Sequence, residues 1–208
     1  MTGQLIFCKN NKITAGGHSD KNNINCEQNN HTRVIFTFKD KSKLIFNDLR
    51  TFGILRVINL EELKLELNKF GKEALDIDFK YLKSISQKKE TCIKTLLLNQ
   101  KLVAGIGNIY ADEALFLAEL LPWRMGKSLK NNELKKLTQS IKQILRKAIK
   151  YRGTTFNDYV DASGNKGNFV GMLNVYGRKG EKCRKCGTEI KKMKLTQRGT
   201  HYCKKCQR

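Results

Sequence analysis

The stretch CRKCGTEIKKMKLTQRGTHYCKKC, residues 183–206, places four cysteines in two C-x-x-C pairs near the end of the chain. Sixteen residues separate the pairs, and Gly187 follows the first pair, where it suits a tight turn. This spacing is typical of a zinc ribbon, in which four thiolates surround one tetrahedral Zn²⁺ and the segment between them folds back as a β-hairpin. A disulfide or redox pair is the less favoured alternative. The sequence therefore predicts one structural zinc ion, bound by Cys183, Cys186, Cys203 and Cys206.

The other three of the seven cysteines, Cys8, Cys26 and Cys92, lie singly along the chain. This arrangement does not match a secreted disulfide framework, so we expect three ordinary thiols in a reducing cytosol. His201 lies inside the hairpin segment, but four cysteines already complete a tetrahedral shell. We therefore expect His201 on the hairpin surface rather than on the metal.

The charge of the chain favours a polyanionic partner. Lys and Arg number 41 against 19 Asp and Glu, which gives a formal net charge of +22. Most of the basic residues are lysines, so a compositional bias accounts for part of the excess. Residues 171–208 alone carry 12 basic and 2 acidic side chains, a net +10 that suits phosphate contacts. No apolar stretch approaches the roughly 20 residues that span a bilayer, and the start, MTGQLIFCKNNK, lacks a signal-peptide layout. We expect a nucleic acid partner and no membrane.

The first 60 residues have the pattern of short strands. QLIFCK at the start, RVIFTF (33–38) and KLIFND (43–48) are β-rich runs, and KDKS between the last two predicts a hairpin turn. A polar loop rich in Asn and Gly, from about Asn10 to Asn30, is expected to join the first strand to this hairpin.

From Glu61 onward the period changes to that of helices. LEELKLELNKFG, KETCIKTLLLN (89–99) and GNIYADEALFLAEL (107–120) predict three helices, with Asn108 at the N-cap of the third. NELKKLTQSIKQILRKAIKYRG predicts the longest helix, with a solvated basic face and one buried apolar face. The apolar positions are Leu134, Leu137, Ile141, Ile144, Leu145 and Ala148.

Several of these stretches together resemble one family along the whole chain. KLVAGIGNIYADEALF, RGTTFNDYVDASG and VYGRKGEKCRKCG, followed by QRGTHYCKKCQR, are similar to the bacterial formamidopyrimidine-DNA glycosylases. The resemblance implies an α+β multi-domain fold with three parts. These are the remaining part of an amino-terminal β-sandwich catalytic domain (1–60), a helical helix–two-turn–helix domain with a lesion loop (61–170) and a carboxy-terminal zinc finger (171–208).

The resemblance also implies an activity, namely base-excision repair. The family members are glycosylases and AP lyases that excise oxidised purines, 8-oxoguanine and formamidopyrimidines, from double-stranded DNA. A monomer in the bacterial cytosol or nucleoid is expected. The related endonuclease VIII group prefers oxidised pyrimidines, and the Arg50-x-Phe52 pattern favours the purine enzymes.

The stretch NDLRTFG resembles the family loop that probes the duplex. There an arginine and an aromatic ring enter the space left by a flipped base, and here these positions are Arg50 and Phe52. On pattern alone Phe52 would be a core residue and Arg50 a surface charge, but the resemblance favours the probing role. Met1 matches a methionine that fills the same gap.

Other site residues follow from the resemblance alone. Asn108 and Lys89 match residues that contact phosphates near the lesion, and the GIGN turn before the helix suits an anion. His31 and Tyr176 match further DNA contacts. Arg198 matches a phosphate contact that is also assigned as the acid of the last strand-cleavage step. The segment Thr154–Phe169 corresponds to the lesion loop that closes over the damaged base.

The family's catalytic centre is an amino-terminal proline followed by a glutamate, and the sequence starts MTGQL instead. The proline amine attacks the sugar C1′ and the glutamate moves protons. We expect a fragment of a longer gene product, inactive as given. The alternative is a natural short protein that binds damaged DNA without cutting it. A zinc-ribbon RNA or ribosomal protein is a third possibility, but it leaves GIGNIYADEALF and RTFG unexplained.

Overall fold

The computed structural model describes residues 3–10, 12–18, 26–87, 90–155, 159–160 and 167–208. The chain divides into two compact units, which we call unit 1 (Met1–Val57 with Ala148–Gly171) and unit 2 (Ile58–Lys147 with Met172–Arg208). The predicted three-part division at residues 60 and 170 stays a prediction. Among the described residues, no helix is both long enough and apolar enough to cross a membrane.

The described elements are five helices and nine strands, besides short 3-10 turns. The helices are α1 (Leu60–Leu67), α2 (Phe79–Gln87), α3 (Ile93–Leu98), α4 (Asn108–Leu117) and α5 (Asn131–Lys150). The strands are β1 (Gly3–Lys9), β2 (Lys12–His18), β3 (Thr32–Thr37), β4 (Lys43–Asp48), β5 (Lys72–Glu73), β6 (Val103–Ala104), β7 (Tyr159–Val160), β8 (Lys191–Leu195) and β9 (Arg198–Tyr202).

Unit 1 is built on a five-stranded antiparallel sheet in the order β3-β4-β1-β2-β7. Successive side chains of a strand point to opposite faces, so β1 sends Ile6 to one face and Leu5 and Phe7 to the other. Ile6 pairs with Ile45 of β4, and both are buried. Leu5 and Phe7 remain 49% and 36% exposed. One face of the sheet therefore carries a small core, and the other leaves apolar side chains open.

The predicted β3–β4 hairpin is confirmed, but the expected loop from Asn10 to Asn30 is wrong at its start, because KITAGGH forms β2. Lysine and glycine are poor strand formers, so the sequence pattern did not predict this strand. Six backbone pairs with β1 hold it in place. Asn10 begins the reversal with a φ of 48°, a left-handed conformation that Asn tolerates.

Cys8 and Cys26 form a disulfide, with 5.9 Å between their Cα atoms. The expectation of three ordinary thiols is therefore wrong for this pair, and only Cys92 among the three stays a free thiol. The reason is tertiary, because the fold packs Cys26 against the Ile6–Ile45 core. The two cysteines are 18 positions apart in sequence, which gives no local signal of pairing.

Helix α4 lies within the core of unit 2. Residues 111–116 of α4 are all buried, including two acidic side chains. The predicted apolar face of α5 is confirmed, since Leu137 and Ile141 are fully buried and the other four apolar positions nearly so. The helix α2 was missed, because its buried apolar positions, Leu82 and Ile85, are too few to give a clear period. The predicted helix at 89–99 is shorter in the structure, where α3 begins at Ile93.

Candidate nucleic-acid interface and metal centre

The four terminal cysteines, which we call the cysteine quartet, meet at the base of the β8–β9 hairpin. Their sulfur atoms all lie within 4.8 Å of one another. The Sγ atoms of Cys183 and Cys206 are 3.9 Å apart, and those of Cys186 and Cys203 are 3.5 Å apart. A tetrahedral zinc with bonds of about 2.3 Å places sulfur atoms about 3.8 Å apart. The quartet therefore has the size and ligand set that a zinc ion requires.

Local backbone hydrogen bonds point the thiols inward. The amide of Gly187 donates to the carbonyl of Cys183 at 2.9 Å, and the Cys203 amide donates to the side chain of Gln207 at 2.8 Å. Hydrogen bonds from Thr188 lower the pKa of Cys186 to about 6, whereas burial raises the pKa of Cys203 and of Cys206. Zinc binds thiolates, so an ion here would displace the remaining thiol protons.

The turn between α3 and α4 is held by one glutamine side chain. Gln100 accepts a hydrogen bond from the Gly105 amide at 3.0 Å and donates to the Ile106 carbonyl at 2.9 Å. Gly105 needs its freedom because its φ is 81°. A Cβ on Gly107 would meet no atom within 4 Å, so the start of α4 lies open to an approaching group. The first amides of a helix lack intrahelical acceptors and favour an anion.

Asn108 is the first residue of α4, and Gly107 occupies the N-cap. The prediction of Asn108 as the N-cap is therefore wrong. Its side chain serves a tertiary contact instead, since Nδ2 donates to the carbonyl of Gly199 at 3.0 Å. The amide nitrogen carries a second hydrogen, which leaves one donor for another acceptor.

The tip of the β8–β9 hairpin presents Arg198 to solvent. Arg198 begins β9 and is exposed. The two turn residues before it, Thr196 and Gln197, have φ values of 42° and 63°, the left-handed pair that a two-residue hairpin turn requires. The predicted hairpin is confirmed, and the role of Arg198 in DNA binding stays a prediction.

His201 is buried, so the prediction that it lies on the hairpin surface is wrong. The backbone amide of His201 donates to Asp112 Oδ2 at 2.8 Å, which holds this part of β9 against α4. Asp112 also lies 2.6 Å from the ammonium of Lys94, and both side chains are buried. Sequence reasoning missed Lys94 and Asp112, although a lysine inside the apolar run of α3 and an acid inside that of α4 were visible signals.

Tyr176 is positioned by a buried glutamate. Glu113 is fully buried, and its carboxylate accepts hydrogen bonds from the amides of Asn174, Val175 and Tyr176 at 2.8–3.0 Å. The Tyr176 ring packs on the His201 ring, with centroids 4.8 Å apart. This half-buried tyrosine, the hairpin and the start of α4 thus belong to one assembly in unit 2.

The probe loop, residues 47–53, lies at the end of β4 in unit 1. Phe52 is 70% exposed, so the alternative that it is a core residue is wrong. The guanidinium of Arg50 lies 5.4 Å from the centre of the Phe52 ring. Asp48 shapes the loop, because its carboxylate accepts from the amide of Arg50 at 3.2 Å and from the amide of Gly53 at 2.7 Å. A Cβ on Gly53 would lie 2.5 Å from the Phe46 ring, so the loop requires glycine there.

His31 lies beside the base of the probe loop. Its carbonyl accepts a hydrogen bond from the Asp48 amide at 2.8 Å, and its own amide donates to Asn29 at 2.8 Å. The Arg33 side chain also donates to the Asp48 carbonyl at 3.0 Å. The structure therefore brings His31, Arg33 and Arg50 to the same end of the sheet.

Two predicted site residues, Met1 and Lys89, lie outside the described residues. The lesion loop is described only in part. Its ends are joined by a bridge between Thr154 and Asn168, and Thr155 Oγ1 accepts from the Gly167 amide at 2.8 Å.

Comparisons with known proteins match both units. Residues 70–160 match the model of the formamidopyrimidine-DNA glycosylase H2TH domain, and residues 180–208 match the zinc finger found in FPG and IleRS. A formamidopyrimidine-DNA glycosylase of Syntrophomonas wolfei is 45% identical over 85% of this chain and 66% of its own length. That of Desulforamulus reducens is 38% identical over 100% of this chain and 72% of its own length. About a third of the Syntrophomonas protein thus has no counterpart in the matched residues.

A solved structure of a formamidopyrimidine-DNA glycosylase also matches this chain. Lactococcus lactis Fpg in complex with DNA containing an abasic site has a TM-score of 0.83 and 34% identity, covering 100% of this chain and 72% of that protein. The predicted fold class is confirmed, with mixed helices and strands, the H2TH domain and the carboxy-terminal zinc finger. The cysteine quartet is accordingly the site of one structural zinc ion.

Proposed function

The chain belongs to the formamidopyrimidine-DNA glycosylase family, and from that premise we propose that it grips damaged duplex DNA for base-excision repair. The proposed activity of the whole protein is that of a glycosylase and AP lyase that removes oxidised purines, 8-oxoguanine and formamidopyrimidines. The observation that carries the proposal is the exposed pair of the probe loop. Phe52 holds its ring in solvent beside Arg50, on a loop that Asp48 braces with two hydrogen bonds.

An exposed aromatic ring on a braced loop suits insertion into a base stack. Flipping a nucleotide out of the helix costs a few kcal/mol of stacking and pairing, and an inserted apolar side chain partly offsets this cost. A guanidinium beside the ring can donate hydrogen bonds to the base that has lost its partner. We therefore assign Phe52 to the vacated stack and Arg50 to the unpaired base, with His31 and Met1 as further contacts on the DNA.

Unit 2 is proposed to hold the phosphates. Asn108 at the open start of α4, Arg198 at the hairpin tip and Tyr176 are the assigned contacts, with Lys89 as a fourth. The net charge of +10 over residues 171–208 supports this assignment. Arg198 is also proposed to act in strand cleavage, by donating hydrogen bonds to the leaving phosphate.

The family's glycosylase reaction uses the free amine of a proline as the nucleophile, and the 208 residues do not supply one. Their one proline, Pro122, is buried and inside the chain, so its nitrogen belongs to a peptide bond. We propose that the 208 residues by themselves bind lesions without excising them. The open apolar face of the sheet, with Leu5 and Phe7, supports a larger protein in which this face is covered. We further propose that the protein acts as a monomer, away from membranes, in the bacterial cytosol or nucleoid.

Lesion binding is tested with two duplexes of one sequence, intact and carrying an abasic site. The zinc-loaded chain is expected to bind the abasic duplex more tightly. Phe52→Ala should cut this preference roughly tenfold, since base–aromatic stacking contributes about 1–3 kcal/mol. Phe38→Ala, which removes a partly exposed ring from the same unit, is the matched control. Equal loss in both variants, or no preference at all, would refute the assignment.

Catalysis is tested with an oxidised-guanine duplex and borohydride, which reduces a Schiff base to a stable adduct. No covalent adduct is expected from the 208 residues alone. An adduct would show that an amine of this chain is the nucleophile and that the non-catalytic assignment is wrong.

A further inference from the structure

Lys94 is a buried lysine whose ammonium group has three oxygen neighbours. The side chain is 1% exposed, and the nitrogen lies 2.6 Å from Asp112 Oδ1, 2.8 Å from Thr200 Oγ1 and 3.0 Å from the Gly199 carbonyl. An ammonium has three donors, so each can face one oxygen. Burial lowers the pKa of Lys94, and the adjacent Asp112 carboxylate opposes that shift. A buried charge is tolerated when it is paired and hydrogen-bonded in this way.

Two of these three oxygens belong to β9, directly after Arg198. The Gly199 carbonyl also accepts from Asn108 Nδ2 at 3.0 Å. Lys94 from α3 and Asn108 from α4 therefore converge on one carbonyl oxygen and use both of its lone pairs. The peptide next to Arg198 is thus held from two helices at once.

The same helices hold the hairpin at two further points. Thr95 Oγ1 lies 2.8 Å from Thr196 Oγ1 in the hairpin turn, and Asp112 Oδ2 accepts from the His201 amide at 2.8 Å. Thr196 has a φ of 42°, which is uncommon for a β-branched residue and costs free energy. Such a conformation persists where surrounding contacts enforce it, and these contacts do so here.

We propose that Lys94 is a positioning residue for DNA binding, which fixes the β8–β9 hairpin on α3 and α4 so that Arg198 and Asn108 engage the phosphate backbone together. Lys94 itself does not touch DNA, because its nitrogen is buried. The inference rests on the proposed function, in which Arg198 and Asn108 contact phosphates. It adds that the geometry of these two contacts depends on a buried ion pair that no phosphate reaches.

Replacing Lys94 alone would not distinguish a positioning role from a purely structural one. Removing one partner of a buried pair leaves an uncompensated charge and destabilises the fold, whatever the pair does for binding. Lys94→Met with Asp112→Asn removes both charges, and the asparagine keeps an oxygen for the His201 amide. This double variant removes the hydrogen bond from Lys94 to Gly199 without leaving an unpaired buried charge.

The experiment measures the affinity of the zinc-loaded chain for an abasic-site duplex across a salt series. Lys94→Met/Asp112→Asn should bind about tenfold more weakly, as expected for the loss of one charge-assisted phosphate contact. Its log–log salt slope should fall by about one. Adding Arg198→Ala to this background should cost less than about twofold, although Arg198→Ala alone costs about tenfold. Ile141→Ala, a buried truncation in α5, is the control for destabilisation and should leave affinity unchanged.

The outcomes separate this inference from the proposed function. If Arg198→Ala costs the full tenfold in both backgrounds, Lys94 does not act through the hairpin and the inference is overturned. If Arg198→Ala has no effect in the unmodified chain, the proposed phosphate role of Arg198 fails. In that case amide hydrogen exchange decides the anchoring. Faster exchange at residues 198–201 in the double variant than in Ile141→Ala supports the anchor, and equal exchange overturns it.

Discussion

Replacing Glu113 by glutamine should destabilise unit 2 by several kcal/mol, although the two side chains have almost the same shape. The Glu113 carboxylate is fully buried and accepts four N–H donors of residues 174–176. Oε1 accepts from the amides of Val175 and Tyr176 at 2.8 and 2.9 Å. Oε2 accepts from the amide and the side chain of Asn174, both at 2.9 Å.

The magnitude follows from counting donors. A glutamine can turn its one oxygen toward Val175 and Tyr176, but its NH₂ group then faces the two N–H donors of Asn174, of which only the backbone amide keeps a second acceptor, Oε1 at 3.0 Å. Each buried donor left without an acceptor costs about 1–3 kcal/mol. Because Asn174 is only half-buried, we expect the lower part of the summed range, about 2–4 kcal/mol. Total stabilities of domains are about 5–15 kcal/mol, so the loss is large enough to measure.

The assay is urea unfolding followed by the fluorescence of Trp123, the single tryptophan, which packs edge-on against Tyr202 of the hairpin. The control is Glu90→Gln, whose side chain is 80% exposed and forms an ion pair with Lys127. Exposed pairs contribute about 0–1 kcal/mol, so this variant should unfold like the unmodified chain. If Glu113→Gln also stays within about 1 kcal/mol of the unmodified chain, the carboxylate is not what holds residues 174–176.

Three further predictions concern the metal, the disulfide and acid. Chelation should release one zinc ion per chain and remove exchange protection from the hairpin amides, because metal binding contributes about 10–16 kcal/mol to such small units; retained protection after metal loss would contradict this. Reduction of the Cys8–Cys26 disulfide should lower the stability of unit 1 by about 3 kcal/mol, measured by circular dichroism with and without reductant. A disulfide that closes a loop of about 15 residues stabilises a protein by about this amount, and the loop here has a similar length. Hydrogen bonds from Lys136 and Lys185 lower the pKa of Glu119 from 4.5 to about 2, so its stabilisation is present above pH 4.5 and is lost as the pH falls toward 2. Glu119→Gln should flatten the stability profile across that window, by less than about 1 kcal/mol because the pair is exposed, and an unchanged profile would show that the pairing is not formed.

Local patterns were sufficient for the elements whose signal lies within one stretch. The two C-x-x-C pairs predicted the metal site, because a chelate needs its ligands at fixed short spacings. The period of apolar residues in α5 predicted its buried face, because one helix turn repeats every 3.6 residues. The probe loop and the phosphate contacts were not visible in this way, and a family resemblance was needed to propose them.

Contacts between distant residues decided the rest. Lys94 and Gly199 are 105 positions apart, so no window of sequence shows that a lysine in an apolar run will hold a hairpin carbonyl. The same holds for Asn108, which a local rule placed at a cap and the fold turned toward Gly199. His201 was predicted on the surface but is buried, because its backbone amide is held by Asp112 of α4.

By itself the sequence determined that this chain binds zinc at its end, forms a β hairpin and a long amphipathic helix, and carries an excess of positive charge. Only the tertiary structure decided which polar groups are buried together and what they hold. The physical reason is that periodicity and spacing report the environment of one element, whereas a buried charge is stable only with partners that the fold brings from elsewhere.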